Sequence, residues 1–212
     1  MTGEPQVTIH GHVHGEPRRQ VMRGPAVACE SLALESISVW VTDDDRELPR
    51  ELVAGAGRNG EIWIRASLVQ QNGVLLAMAL MEEAAHVKMT ALGALDGVAS
   101  FLGALVQEYF ASWYVFTELC KVAPRIVALY DDSPIPAAHP TPDFGYRLGN
   151  HLGPEAAGID KAHLRVEAWL KSASIHPAVR DPVRRVRALG SPSSDPVELA
   201  TRAAALARDR SG

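Results

Sequence analysis

Cysteine is scarce in this sequence. Cys29 and Cys120 are the only two in 212 residues, they lie far apart, and neither belongs to a C-x-x-C pair. That argues against a disulfide framework and suits a reducing cytosol, with both thiols as core residues. Positive charge is also in short supply. The formal net charge is −4, so nothing recommends nucleic acid as a partner. Long hydrophobic runs are missing as well. The most apolar stretch, Gly73–Met81, is too short to span a bilayer and is followed by charge, so no membrane partner is expected. Residues Met1–Gln20 are polar and His-rich and lack the apolar centre of a signal peptide. The expected location is cytoplasmic.

What is present is enough apolar material, 47% of the residues, to fill a core. The length fits one domain with tails. The expected organisation is a flexible, His-containing N-terminus over 1–23, a single domain over 24–189, and a linker with a C-terminal helix over 190–212. His10, His12 and His14 alternate. In an extended strand they would share a face and could hold a transition metal; a flexible terminus or an exposed edge strand is the plainer reading. Ala26–Leu34 is open between helix and strand. Glu35–Thr42 alternates Ile37, Val39 and Val41 and reads as a strand, and so does Glu61–Ala66 with Ile62 and Ile64. Asp43–Asp45 reads as a solvated turn, since its spacing is wrong for a calcium loop. A short helix is expected over Glu47–Ala54 and a turn over Gly55–Gly60.

Two long helices follow, Gln70–Ala91 and Gly97–Ala123. The first carries Glu82, Glu83 and His86 within an Ala- and Leu-rich run. Glu82 and His86 lie about 40° apart on a helix, and Glu83 about 100° round from Glu82. Acids in an apolar helix need an answering metal, base or shared proton. The second helix has an apolar stripe of Phe101, Leu105, Ser112, Phe116 and Leu119, with Glu108 in its middle. A hairpin near Gly93–Gly97 could bring Glu108 opposite His86. Tyr130–Gly153, with four prolines, reads as a long irregular connection holding His139, Asp143, Tyr146, Arg147 and His151. Glu155–Ser172 reads as a helix and Pro177–Leu189 as a helix with a solvated arginine face. The last helix, Pro196–Asp209, reads as weakly amphipathic and prone to fray. Trp40, Trp63, Trp113 and Trp169 read as core aromatics.

A strand, an acid-and-His helix and a second acid-bearing helix together resemble the zincin metalloproteases, most closely the small gluzincin type. The resemblance covers about residues 61–120. It implies an α+β fold, mainly helical, with a small β-sheet packed on the active-site helix. It implies that Ile62–Ile64 is the strand edging the cleft, Glu83 the catalytic base, and Glu82, His86 and Glu108 the metal ligands. It also implies an oxyanion-stabilising Tyr or His beyond the ligand helices, for which Tyr146 and His151 stand first and His139 behind them. Arg147 could hold an anionic substrate group. The first histidine of the family's H-E-x-x-H is Glu82 here, so the segment reads E-E-A-A-H. A two-carboxylate, one-imidazole set suits Mn²⁺ or Fe²⁺ at least as well as Zn²⁺.

The expected function is metal-dependent hydrolysis of a peptide or amide bond. Three alternatives remain open. The carboxylates, without a metal, could do acid/base chemistry on a small molecule in a biosynthetic pathway. The chain could be a non-enzymatic partner protein. Or it could be a di-iron carboxylate protein, with Glu83–His86 and Asp160–His163 as its two E/D-x-x-H halves and Glu30 or Glu35 and Glu108 supplying the rest; two strands before the first long helix count against that. The expected partners are a small-molecule or peptide substrate, with room for a protein partner.

Overall fold

The computed structural model describes residues 6–11, 13–57, 59–70, 73–94, 100–130, 133–135, 139–172 and 175–209. The architecture is mainly helical α+β with one small mixed sheet. The chain divides into two compact units, Met1–Ala91 and Leu92–Gly212. Their boundary falls inside the stretch 24–189.

The first unit runs β1 (Gln6–His10), α1 (Gly15–Ser31), β2 (Ser36–Thr42), β3 (Ala54–Ala56), β4 (Glu61–Arg65), α2 (Ala66–Val69) and α3 (Gly73–Ala91). The strand order is β1-β2-β4-β3. β1 and β4 flank β2 in parallel, and β3 closes the sheet antiparallel to β4. Parallel neighbours need a crossover, and α1 supplies the one between β1 and β2. The alternation in β2 and β4 buries Ile37, Val39, Ile62 and Ile64. α1 packs on β1, β2 and α3, and α3 packs on β3 and β4, so the sheet does lie on the helix that carries the Glu/His motif. On the polar side of the pleat, His10, Trp40 and Trp63 occupy one row across three strands. Their rings stack, with centroids 3.8 Å and 5.2 Å apart.

Three local expectations change here. The N-terminal stretch contributes an edge strand and the first turns of α1, rather than a flexible segment through residue 23. His10 is engaged with Trp40, His14 is the N-cap residue of α1, and His12 lies outside the described residues. Residues 47–53 form turns rather than a helix, and Ala54–Ala56, expected in part as a turn, is a strand. Arg65 gathers this segment: its Nη2 donates to Leu48 O at 2.6 Å and to Asp45 at 2.8 Å. β4 lies between β2 and β3, so Ile62–Ile64 is an interior strand of the sheet rather than an edge strand.

The second unit runs α4 (Phe101–Val122), a 3-10 turn (Pro124–Leu129), α5 (Pro142–Ala156), α6 (Asp160–Ser172), α7 (Pro177–Arg187) and α8 (Pro196–Arg208). Ser100 caps α4 by accepting from Gly103 N at 3.0 Å. Beyond its expected stripe, α4 also buries Tyr109, Phe110, Trp113 and Tyr114. α5 lies along α4 and presents Gly145, Gly149 and Gly153 to it, one per turn. A Cβ at Gly149 would sit 2.7 Å from Tyr109 N, and one at Gly153 would sit 2.5 Å from Tyr109 O. Only hydrogen fits between these backbones.

The long connection expected over Tyr130–Gly153 is therefore shorter. Thr141 caps α5 by accepting from Phe144 N at 3.2 Å, and Pro142 occupies its first turn, where a missing N–H costs nothing. The helix expected over Glu155–Ser172 is two pieces. Glu155 falls in the last turn of α5, Gly158 turns the chain at φ +87°, and α6 begins at Asp160. α8, expected to fray, buries Leu199, Ala200, Ala203, Ala204 and Ala207 and packs on α4. Among the described residues no helix is long and apolar enough to cross a membrane. Both cysteines are free, Cys29 buried and Cys120 half-buried.

Candidate functional site

In the first unit, α3 is helical through the whole E-E-A-A-H segment. Its apolar positions Leu76, Leu80, Met81, Ala84, Ala85, Val87 and Met89 are buried. Glu82, Glu83 and His86 are each half-buried among them, and each has an interacting partner. Glu82 and His86 stand one turn apart, offering a carboxylate and an imidazole from the same side of the helix. That pair suits a divalent ion. Glu83 is the neighbouring carboxylate on the adjoining face. The helix is placed firmly: Gly24 of α1 lets that helix approach until a Cβ there would lie 3.3 Å from Leu80 Cβ.

In the second unit, Glu108 is 6% exposed on α4. It lies under α5 at Gly149, whose added Cβ would come within 2.6 Å of Glu108 Cβ. Tyr146, half-buried on α5, has its phenol pushed up by burial and then by the negative charge of Glu108. One turn further along α4, Ser112 donates to Asn150 Oδ1 at 2.7 Å. Glu108, Tyr146, Ser112 and Asn150 thus form a polar seam between α4 and α5.

His151 and Arg147 lie on α5, and His139 just before it. His151 is 4% exposed, and its Nδ1 lies 2.8 Å from the Tyr130 hydroxyl. The two rings meet edge to face. This is a satisfied core histidine, held between the 3-10 turn and α5. Arg147 pairs with Asp143 on the exposed side of α5. His139 is exposed. Arg187, expected on a solvated face, donates instead to both Glu155 oxygens, at 2.6 and 3.0 Å, and to Glu167 at 2.8 Å.

That arginine decides the reading of a second group. Glu155, His163 and Glu167 offer ligand atoms within 4.8 Å of one another, a spacing that would admit a metal ion. The guanidinium of Arg187 already neutralises both carboxylates, and His163 Nδ1 adds a 3.1 Å contact to Glu155. The donors are spent on an internal cation, so this group does not fit a metal. Nothing in the local spacing of Asp160–His163 discloses it, because Arg187 comes from another helix. For the polar seam a signal is present: glycines at 145, 149 and 153 mark one helical face.

No family model, curated protein or solved structure matches the chain.

Proposed function

We propose that this chain is a divergent zincin-like enzyme that hydrolyses a peptide or amide bond with a bound divalent ion, Zn²⁺, Mn²⁺ or Fe²⁺. The observation that carries the reading is the intact helical turn of α3, with Glu82 and His86 in register inside an otherwise buried apolar run. A half-buried carboxylate and imidazole on such a helix call for answering charge, which a bound ion would supply. Glu82 and His86 hold the ion, and the sequence resemblance assigns Glu108 as third ligand. When bound, the ion polarises the scissile carbonyl and acidifies water. Glu83 takes the water proton on a carboxylate oxygen and returns it to the leaving amine. The sequence resemblance also gives Tyr146 as the candidate donor to the developing oxyanion.

The test is metal content in protein purified without tag or chelator. About one equivalent is expected in the wild type and a large loss in Glu82→Gln and His86→Ala. E108Q tests the third ligand separately. A wild-type content below about a tenth of an equivalent overturns the hydrolase reading.

A second reading has one observation in its favour. The second unit holds a buried carboxylate, Glu108, on α4 and a half-buried phenol, Tyr146, on the facing α5, which is the equipment for acid/base chemistry on a small molecule without a metal. Turnover that survives exhaustive chelation but is lost in E108Q would select it.

A further inference from the structure

α6 has two contrasting sides. Ala162 and Val166 face inward and are fully buried. Lys161, Leu164, Arg165, Ala168 and Trp169 follow the i, i+3, i+4, i+7, i+8 pattern of a single helical stripe. This stripe is not a packing face. Leu164 is 69% exposed, and Lys161 and Ala168 are exposed or half-exposed beside it. With Pro134 and Ile135 the stripe walls an open groove of about 580 Å³. Trp169 is seated, since its ring rests against Phe144 of α5 with centroids 6.2 Å apart.

Charge says what fits. The chain as a whole is acidic, yet the described residues that line this groove include two cations and no acid. Among other cations of the second unit, Arg147, Arg184 and Lys171 pair with Asp143, Asp181 and Glu167. Lys161 and Arg165 take part in no ion pair among the described residues. An apolar floor under two uncommitted cations one turn apart matches a ligand with an apolar body and an anionic head. The volume lies within the range of small-molecule sites.

We propose that this groove binds a small amphiphilic anion, an aliphatic carboxylate of medium chain length. The head sits between Lys161 and Arg165, and the chain lies on Leu164, Ile135 and Trp169. None of these residues is in the proposed hydrolytic set, so the two ideas stand or fall separately.

The test is titration with decanoate below its micelle concentration, read by tryptophan fluorescence. The contribution of Trp169 is isolated by subtracting a Trp169→Phe variant. The expected result is a saturable change that is absent with decyltrimethylammonium and weak with decanol. In the double variant K161E/R165E binding should weaken at least about tenfold, equivalent to about 1.4 kcal/mol. The pair K161R/R165K should retain it. Calorimetric titration of K161Q/R165Q, with its fold checked by circular dichroism, provides a second measurement. An equal response to the cationic amphiphile, indifference to charge reversal, or a response only to anionic vesicles overturns the proposal.

Discussion

The two units bring helices together by different means. In the first, α1 meets α3 across one glycine, and a Cβ added at Gly24 would meet Leu80 Cβ at 3.3 Å and the main-chain Ala77 O at 3.4 Å. In the second, α4 meets α5 across three glycines, and the neighbours of Gly145, Gly149 and Gly153 include main-chain atoms at 2.5–2.7 Å. At 3.3–3.4 Å a neighbour needs to give by only a few tenths of an ångström, whereas at 2.5–2.7 Å two helical backbones would have to part. The first contact tolerates small adjustment, while the second fixes one geometry and, with it, the place of Glu108 against Gly149 of α5.

The largest expected effect breaks that contrast directly. Gly153→Ala should destabilise the second unit by about 3 kcal/mol or prevent its folding, and Gly149→Ala should do nearly as much. Gly24→Ala should stay within about 1 kcal/mol of wild type, because the tight contact to Leu80 is offset by the better helix propensity of alanine. Urea unfolding of the three variants measures this. Equal losses at Gly24 and Gly153 would erase the distinction.

A smaller effect is expected at Arg187. It answers Glu155, whose side chain is only 9% exposed, but is itself 31% exposed. Arg187→Ala should cost about 1–2 kcal/mol, less than a fully buried pair. Hydrogen bonding from Arg187 holds the Glu167 carboxyl below its ordinary 4.5. That contribution is present above pH 4.5 and lost as the pH falls below it. Wild type should therefore lose stability in acid more steeply than R187A, and parallel curves would remove the linkage.

The smallest effect lies in the first unit. Burial pushes the Cys29 thiol from 9.0 up to about 11. Its contribution is full below pH 9 and is lost as the pH rises toward 11, because the unfolded thiol ionises first. Cys29→Ala should flatten that decline, which chemical denaturation at a series of alkaline pH values measures; an unchanged slope would remove the thiol as its cause. Cys29 should also resist alkylation at neutral pH in the folded state.

What the sequence discloses follows periodicity. β2, β4, α3 and α4 have strong apolar repeats, and the burial of Glu108 is visible as an acid inside one. α5 is not legible, because its prolines and glycines read as loop residues. Thr141–Pro142 is in fact a helix start, and the glycines serve a contact that no local rule weighs. β1 and β3 are hidden for another reason. Gln6–His10 has few large apolar side chains and Ala54–Ala56 has none, so their pairing is set by β2 and β4. The interior position of β4 depends on β3, so it too cannot be read from residues 61–65.

The aromatic row across the sheet has an optical consequence. Trp40 and Trp63 hold their indoles 5.2 Å apart and within 17° of parallel, close enough for their electronic transitions to couple. The first unit should therefore show a paired, opposite-signed ultraviolet dichroism band that vanishes if either indole is replaced. A slip of one residue between β2 and β4 would throw the two rings to opposite faces, so that band is a built-in gauge of strand alignment, readable without any label.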